Sequence, residues 1–464
     1  MLDIKLLRDD PDRIAANLAI RLTRIFEDLP STQDGWAAET VERLSAMDRA
    51  YREVMQAQER LRTELNDNAQ TMKQLGKAKP ADGVSAEDWK AQQGEKRQAL
   101  IERGRALREQ DKSLGAQADT LLAERDAAWR RVPNLTHPET PHGHTDDDHR
   151  VLHTWGEKRD FAAEGFEPKD HLALAEALDL IDFGAGAKVA GNKFYFLKHD
   201  AVLLDMALQL YALAVARKHG FALHTTPDLA RVSILEGLGF NPRGESTQVY
   251  SVAESDLCLV GTAEITLGGM YADTVCEPEA LPRLVAGLSH CFRTEAGAAG
   301  QESKGLYRVH QFTKVELFAF TTGDLEASEA MHKRLLAIEE EIFQGLGLPY
   351  RVLDIASGDL GGPAYRKFDI EVWMPGRNTW GEVTSTSNCT DYQARRLKVR
   401  HRTVNADGKK GKNRACHLLN GTALANSRAI VGILEHYQQA DGSVIVPEVL
   451  RSVVGSDRLV ARPT

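Results

Sequence analysis

Two long heptad patterns separated by a short break constrain the fold of this chain more than any other feature. Between residues 37 and 75, Leu44, Tyr51, Gln58, Leu65 and Met72 alternate with Met47, Val54, Leu61, Asn68 and Leu75. Steps of three and four residues set these side chains on one stripe of a helix, and only Gln58 and Asn68 are polar. Gly76, Pro80 and Gly83 then interrupt the pattern. A second helical pattern runs to Val132, with Leu100, Leu107, Leu114, Leu121 and Ala128 in heptad register. Its partner row is poorer, holding Gly104, Asp111, Ala118 and Arg125. Neither helix is apolar all round, so each has one stripe to bury. The simplest solution is an antiparallel coiled-coil hairpin over about 37–132, standing off the body of the protein. A shorter helix is expected within residues 6–22, near Pro11, with a turn-rich break at 32–35.

Such a hairpin can be a spacer, a dimer contact or an arm that meets RNA. Arg60, Arg62, Lys73, Lys77, Lys79, Arg97, Arg103, Arg105 and Arg108 supply cations suited to phosphates. Acids are interleaved with them, so charge alone leaves these readings open. The net charge of −9 excludes a generally basic nucleic-acid coat and confines any RNA contact to a local patch. At 464 residues the chain has room for two or three domains. The five cysteines include no C-x-x-C pair, which argues against a disulfide framework or a compact zinc site and for a reducing compartment. No apolar run is long enough to span a membrane, and the N-terminus has no signal or transit character, so the cytoplasm is the expected location. The histidine-rich stretch 133–153 lacks fixed metal-ligand spacing and reads as a linker.

The remainder mixes helices and strands. A helix is expected over 171–182, a strand over 191–198, an apolar helix over 200–220 and a strand from His224 to Pro227. The run Leu257-Cys-Leu-Val260 closes on Gly261-Thr262-Ala263-Glu264, where a hydroxyl and a carboxylate suit an ammonium group. Two strands follow, joined by a long polar loop. The first ends in Cys291-Phe292-Arg293-Thr294-Glu295, the loop carries Gly297, Gly300, Lys304 and Gly305, and the second runs from Tyr307 to Phe320. A period of two puts His310, Phe312, Lys314 and Glu316 on one face. There a guanidinium matches phosphate oxygens, an aromatic face stacks on a purine, and a carboxylate pairs with an amine. A strand over 362–373 precedes Asn378-Thr-Trp-Gly-Glu382-Val-Thr-Ser385-Thr-Ser-Asn388. By itself this stretch reads as a Ser/Thr-rich loop, although Glu382 and Ser385 offer oxygen donors of the kind Mg²⁺ prefers. Residues 407–412 read as a solvated loop. The stretch from His417 reads as strand, turn and helix, carrying Asn420, Thr422 and Arg428.

The string F-R-T-E-A-G-A-A-G…G-L-Y-R-V-H-Q-F-T-K-V-E resembles motif 2 of class II aminoacyl-tRNA synthetases, and specifically the seryl-tRNA synthetase family. The helix and proline-closed strand over 200–227 resemble motif 1, which lies at the dimer interface in that class. The stretch around Arg428 resembles motif 3, although it lacks the several glycines of the generic pattern. The opening M-L-D-I-K-L-L-R-D-D-P-D-R-I and the ending from Gln438 to Arg451 also resemble the family, so the likeness covers nearly the whole chain.

That resemblance implies an α+β fold: an N-terminal tRNA-binding domain over 1–134 with the antiparallel coiled-coil arm, and a catalytic domain over 135–464 built on an antiparallel sheet flanked by helices. It implies a homodimer whose partners are ATP, L-serine and tRNA(Ser), with Mg²⁺ accompanying ATP and neither organic cofactor nor zinc. ATP would meet Arg293, Thr294, Glu295, Val309, His310, Gln311, Phe312, Glu382, Val383, Thr384, Ser385 and Arg428. Within that set Glu382 and Ser385 would hold the metal, and Phe312 would stack on adenine opposite Arg428. Serine would meet Thr262, Ala263, Glu264, Arg293, Glu316, Asn420 and Thr422. Arg293 and Arg428 are the catalytic candidates. A synthetase-like ligase that loads a carrier protein, and a non-catalytic binding protein, are the alternatives. Charging of selenocysteine tRNA is left open by the sequence.

Overall fold

The computed structural model describes residues 1–80, 83, 85–241, 247–296, 305–404 and 409–461. The chain divides into two compact units, Asp3–Val132 and Pro133–Thr464, the latter including Met1–Leu2.

The N-terminal unit is helical. Helices α1 (Lys5–Asp9) and α2 (Pro11–Arg21) split the stretch expected as one helix. Asp10 causes the break: its side chain accepts a hydrogen bond from Arg13 N, and Pro11 occupies the first position of α2. Two long helices follow, α3 (Trp36–Leu75) and α4 (Ala86–Arg131), the second capped by Ser85. Their polar seam residues reach across to the facing backbone. Asn68 Nδ2 donates to Leu100 O at 3.0 Å, and Gln58 Nε2 donates to Asp111 O at 3.3 Å. Two glycines of α4, Gly104 in the poorer row and Gly115 beside it, make that approach possible. A Cβ on Gly104 would stand 3.0 Å from Asn68 Nδ2, and one on Gly115 would stand 3.3 Å from Gln58 Nε2. Gly104, Ala118 and Arg125 are accordingly buried, whereas Leu114, Leu121 and Ala128 are only half-buried. Asp48, off the apolar stripe, is buried as well. It binds Arg8 at 2.8 Å, Arg52 at 3.0 Å and Arg125 at 3.1 Å, joining α1, α3 and α4.

The larger unit is built on one eight-stranded sheet. In chain order its strands are β1 (Arg150–Trp155), β2 (Ala222–Thr225), β3 (Arg283–Phe292), β4 (Gln311–Thr321), β5 (Tyr350–Asp354), β6 (Arg366–Met374), β7 (Thr379–Asn388) and β8 (His417–Ala425). Across the sheet they run β1-β5-β6-β7-β8-β4-β3-β2. Every pairing is antiparallel except β2 with β3. Helices α5 (Asp200–Lys218), α6 (Ala263–Gly269), α7 (Leu325–Gly345) and α8 (Asn426–Tyr437) flank it.

Strand β4 has a core on each face. Val315, Leu317 and Ala319 belong to the main apolar cluster with α5, α7 and α8, while Phe318 and Phe320 belong to a second cluster with α6. The strand is therefore buried continuously from Lys314 to Thr321 rather than on alternate residues. Phe312, Lys314 and Glu316 share the parity of Phe318 and Phe320, so the second core closes one end of the face that carries them.

Several sequence expectations need correction. The strand expected from Tyr307 begins at Gln311, because Gly305–Tyr307 forms a 3-10 turn. The helix expected over 171–182 ends at Ala177, and Ile181–Asp182 pairs with Phe196–Leu197. Only that dipeptide of 191–198 is strand. Asp182 caps a further helix, Phe183–Ala190, which Gly191 closes at φ 107°. The Ser/Thr-rich stretch after Asn378 is strand β7, not a loop. Lys410–Ala415 pairs with Arg400–Val404 instead of forming a solvated loop. Gly297, Gly300 and Lys304, and the start of the 407–412 stretch, lie outside the described residues.

Replacing Asp48 with Ala removes the buried carboxylate shared by Arg8, Arg52 and Arg125, and leaves Arg125, whose side chain is 10% exposed, with Asp126 alone. The N-terminal unit should lose about 3 kcal/mol in denaturant unfolding, the usual cost of breaking one side of a buried ion pair. A loss below 1 kcal/mol, the range of surface pairs, would contradict that account.

Candidate active site

Two irregularities in adjacent strands build the site. Along β6 and β7, Ile370 faces Thr384 and the next pair is Glu371 with Glu382, which leaves Val383 as an extra residue. Along β8 and β4, Thr422 faces Glu316 and the next pair is Leu424 with Val315, which leaves Ala423 as an extra. Each bulge shifts the phase of alternation by one residue. Glu382 and Ser385, three apart, consequently line one cavity, as do Thr422 and Ala425. Strict alternation would have sent the members of each pair to opposite faces.

The cavity holds about 580 Å³, open mouth included. Among the residues proposed from sequence, Arg293, Glu295, Val309, Phe312, Glu382, Val383, Thr384, Ser385, Thr422 and Arg428 line it. Arg293 follows the last residue of β3. Its backbone N–H donates to His310 O at 2.9 Å and its Nε to Gly261 O at 3.3 Å, and its guanidinium carbon lies 5.3 Å from the Phe312 ring centre. Glu295, at φ 53°, pairs with Arg308 at 3.2 Å. Arg428, in the first turn of α8, donates to the Glu382 carboxylate at 3.0 Å and to Glu382 O at 3.1 Å. The Tyr307 ring lies within 4.9 Å of the Arg428 guanidinium and 4.6 Å of that of Arg377.

The remaining proposed residues lie elsewhere. Thr294 is held by Gln248, whose carbonyl accepts from its backbone N–H, and by Thr247, whose carbonyl accepts from its hydroxyl. His310 does not line the cavity: its Nδ1 lies 2.8 Å from Arg293 O and 3.0 Å from the Tyr250 hydroxyl. Gln311 lines a neighbouring cavity. Ala263 is buried in the second core, where a Cβ on Gly287 would meet its own at 3.0 Å.

The buried Thr262, Glu264 and Glu316, with the half-buried Asn420, form a cluster connected to the cavity through Lys314 and Thr422. Lys314 Nζ lies 2.5 Å from Glu316 and donates to Thr422 Oγ1 at 3.4 Å. Thr262 caps α6, its hydroxyl accepting from Glu264 N. Glu264 accepts from Gln393 Nε2 at 2.6 Å and from Asn420 Nδ2 at 3.1 Å. Burial, reinforced by the charge of Glu316, pushes the Glu264 carboxyl up to about 7. Glu382 goes the other way. Burial pushes it up, but Arg428, Lys367 and Arg293 outweigh that and hold it at about 2. The cavity thus presents an ionised carboxylate and a hydroxyl, Glu382 and Ser385, and these hard oxygen donors fit Mg²⁺.

Several participants escaped the sequence reading. Tyr307, Arg308 and Ser427 line the cavity, and Gln393 fixes Glu264 from a separate helix. Glu339 on α7 is fully buried behind β8, where a Cβ on Gly421 would stand 2.6 Å from its Oε1. Burial, with Glu316 and Asp369 nearby, raises its carboxyl well above the ordinary range. An isolated acid in an amphipathic helix gives no sequence signal that it points inward.

Comparisons with known proteins give the family of the chain. Residues 248–437 match the core domain of class II tRNA synthetases, described as that of the G, H, P, S and T enzymes. The sheet and the cavity on it therefore belong to a class II aminoacyl-tRNA synthetase. Residues 1–136 match the seryl-tRNA synthetase N-terminal domain. A serine–tRNA ligase of Treponema denticola is 48% identical over 465 residues, covering 99% of this chain and all of the relative. The crystal structure of seryl-tRNA synthetase from Pyrococcus horikoshii complexed with ATP superposes with a TM-score of 0.84 at 35% identity, covering 100% of both chains. That of the cytoplasmic serine–tRNA ligase from Naegleria fowleri with AMP gives 0.80 at 27% identity, covering 100% of this chain and 99% of the other. The chain belongs to the seryl-tRNA synthetase family.

The raised Glu264 carboxyl has a consequence for stability. Folding favours its protonated form, so its contribution is complete below the ordinary value of 4.5 and is lost as pH rises to about 7. In the ligand-free protein Glu264→Gln should flatten the fall in melting temperature across that interval. An unchanged pH profile would show that Glu264 ionises there without cost.

Proposed function

We propose that the chain activates L-serine with ATP, releasing pyrophosphate, and transfers the seryl group to the 3′ end of tRNA(Ser) for protein synthesis. The observation that carries this reading is the convergence of Arg293, Phe312, Glu382 and Arg428 on one cavity joined to the buried acids Glu264 and Glu316. In the first step the serine carboxylate attacks the α-phosphorus of ATP, and pyrophosphate leaves. Arg293 spans the serine carboxylate and the α-phosphate, and Arg428 faces the other side of the nucleotide. Phe312 stacks on adenine, with Glu295 near its edge. Glu264 and Glu316 take the serine ammonium with Thr262, and Thr422 meets the serine hydroxyl. A site that hydrogen-bonds this hydroxyl rejects alanine, because its own buried partners would be left unpaired. In the second step a 3′-terminal ribose hydroxyl of the tRNA attacks the acyl carbon of the seryl-adenylate, the acyl–phosphate bond breaks, and AMP leaves. No side chain becomes a covalent nucleophile; positioning and charge neutralisation carry both steps. Glu382 and Ser385 would hold Mg²⁺, which neutralises phosphate charge when bound with ATP.

The reading extends to assembly and partners. In the helical arm Arg103 and Arg62 spend charge on Glu64 and Asp111, while the cations nearer the tip, Lys73, Lys77 and Lys79, are exposed and suited to tRNA phosphates. Helix α5 exposes Val202, Leu203, Met206 and Leu210 at 39–53%, and β2 ends the sheet beside it. An apolar helix face next to an open sheet edge is the kind of surface that a second copy covers. All five cysteines are free and buried, and among the described residues no helix is long and apolar enough to cross a membrane. A cytoplasmic homodimer accommodates these features.

Serine-dependent ATP–pyrophosphate exchange, followed by transfer to tRNA(Ser) with and without its variable arm, tests both halves. Exchange should be specific to serine over alanine and threonine, and transfer should need the variable arm. Exchange without transfer would favour the carrier-protein alternative. Arg293→Ala should lower exchange about 100-fold or more, the usual loss when a preorganised cation is removed from charge developing in a transition state. Near-normal exchange in a folded Arg293→Ala protein would sink the assignment. Met206→Glu combined with Leu210→Glu should convert a dimer to monomers in sedimentation. A wild-type monomer would contradict the interface.

A further inference from the structure

We infer that the buried pair His171–Glu435 positions the nucleotide end of the cavity by bracing the two turns that present Tyr307 and Arg377. The inference rests on the ligase reading and gives this pair a part in holding ATP. Neither residue lines the cavity. Glu435 lies in the last turn of α8, is fully buried, and shares its helix with Arg428 in the first turn. Its Oε1 accepts from His171 N at 3.2 Å and lies 2.9 Å from His171 Nδ1, and its Oε2 accepts from Gly376 N at 3.0 Å. With both oxygens accepting, Nδ1 carries the imidazole proton. Gln438, just beyond α8, fastens the same segment. Its Nε2 donates to Lys169 O at 2.9 Å, and its Oε1 accepts from Lys169 N at 2.7 Å.

Residues 169–172 form a ledge, and two turns rest on it with no room for a side chain between. A Cβ on Gly376 would stand 2.5 Å from Asp170 Cα; one on Gly305 would run into His171 Nε2 and stand 2.8 Å from Leu172 Cδ2. The residues that follow these glycines reach the chemistry. Arg377 comes directly after Gly376, and Tyr307 comes two after Gly305, with Leu306 sunk in the main core between them. Tyr307 lines the cavity, donates from its hydroxyl to Glu382 O at 3.2 Å, and packs its ring against the guanidinium groups of Arg377 and Arg428. One carboxylate therefore ties the far end of α8 to both turns whose side chains meet that helix's own Arg428. Apolar residues of similar volume often fill such a space as stably. They would leave the Gly376 N–H unpaired and set no ring edge against Gly305, so what the pair contributes is placement. His171 Nε2 is itself buried with no hydrogen-bond partner among the described residues, a loss of stability that a role in placing Gly305 explains.

His171→Ala, His171→Asn and Glu435→Gln are compared in the full protein by serine-dependent exchange and by calorimetric binding of ATP. His171→Ala keeps the backbone N–H and removes the ring. It should raise KM for ATP about tenfold while KM for serine stays within about twofold. His171→Asn sets an amide donor near the place of Nδ1 and should return KM for ATP to within about threefold of wild type. Glu435→Gln leaves one acceptor oxygen for donors that two now serve, and should weaken ATP as His171→Ala does. An unchanged KM for ATP in a folded His171→Ala protein would overturn the assignment. So would KM for serine rising in parallel, or His171→Asn behaving as His171→Ala does, since either marks general loosening rather than placement. If Glu435→Gln does not fold, the two His171 variants decide alone. A wild-type protein that binds ATP without exchanging it removes the ligase reading, and the binding constants of the variants still test the brace. One that binds no ATP removes both.

Discussion

One extra residue in each of two neighbouring strands sets the chemistry of this fold. Without the bulge at Val383, Glu382 and Ser385 would lie on opposite faces of β7; without the one at Ala423, Thr422 and Ala425 would do the same on β8. The bulges also part the two strands. The β7–β8 ladder spans only Thr386–Asn388 against Leu419–Gly421, and the cavity lies beyond it. Irregular backbone of this kind is tolerated because the opposite faces of the same strands are locked into the main core with α7 and α8.

The electrostatics follow from that geometry. Three carboxyls, Glu264, Glu316 and Glu339, are buried close enough to influence one another, and burial raises all three. Lys314 and Arg293 offset part of this, while the cations around Glu382 drive that carboxylate to the opposite extreme. Acids pushed apart in this way within one site are characteristic of places where function, not stability, decides composition. A ligand bringing an ammonium group to one side and phosphates to the other would neutralise both imbalances.

Much of this was legible in the sequence, for reasons that differ by element. The arm was readable because heptad spacing is a local signal, although the poorer row of α4 is the better buried, with Gly104, Ala118 and Arg125 inside and Gly104 small enough for Asn68 to reach across. Arg293, Glu382 and Arg428 were readable through a contiguous resemblance. The bulges were not, because an extra residue in a strand leaves no trace in composition; the resemblance brought Glu382 and Ser385 together where periodicity would have separated them. The start of β4 was misread for a similar reason. A strand start was read from alternation, while the 3-10 turn at Gly305–Tyr307 delays it. Gln393 and Glu339 act from helices far along the chain, and only tertiary packing brings them to the site.

The polar seam of the arm carries one more implication. An all-apolar stripe can slip by a heptad and find nearly equivalent packing, and such a slip carries one helix about 10 Å past the other. Here a slip would leave Gln58 and Asn68 facing the wrong carbonyls, press them against bulkier residues than Gly104 and Gly115, and separate Asp48 from Arg125. The hairpin has one register and hence one length. It behaves as a gauge rather than a tether: whatever its tip touches is held at a fixed span from its base.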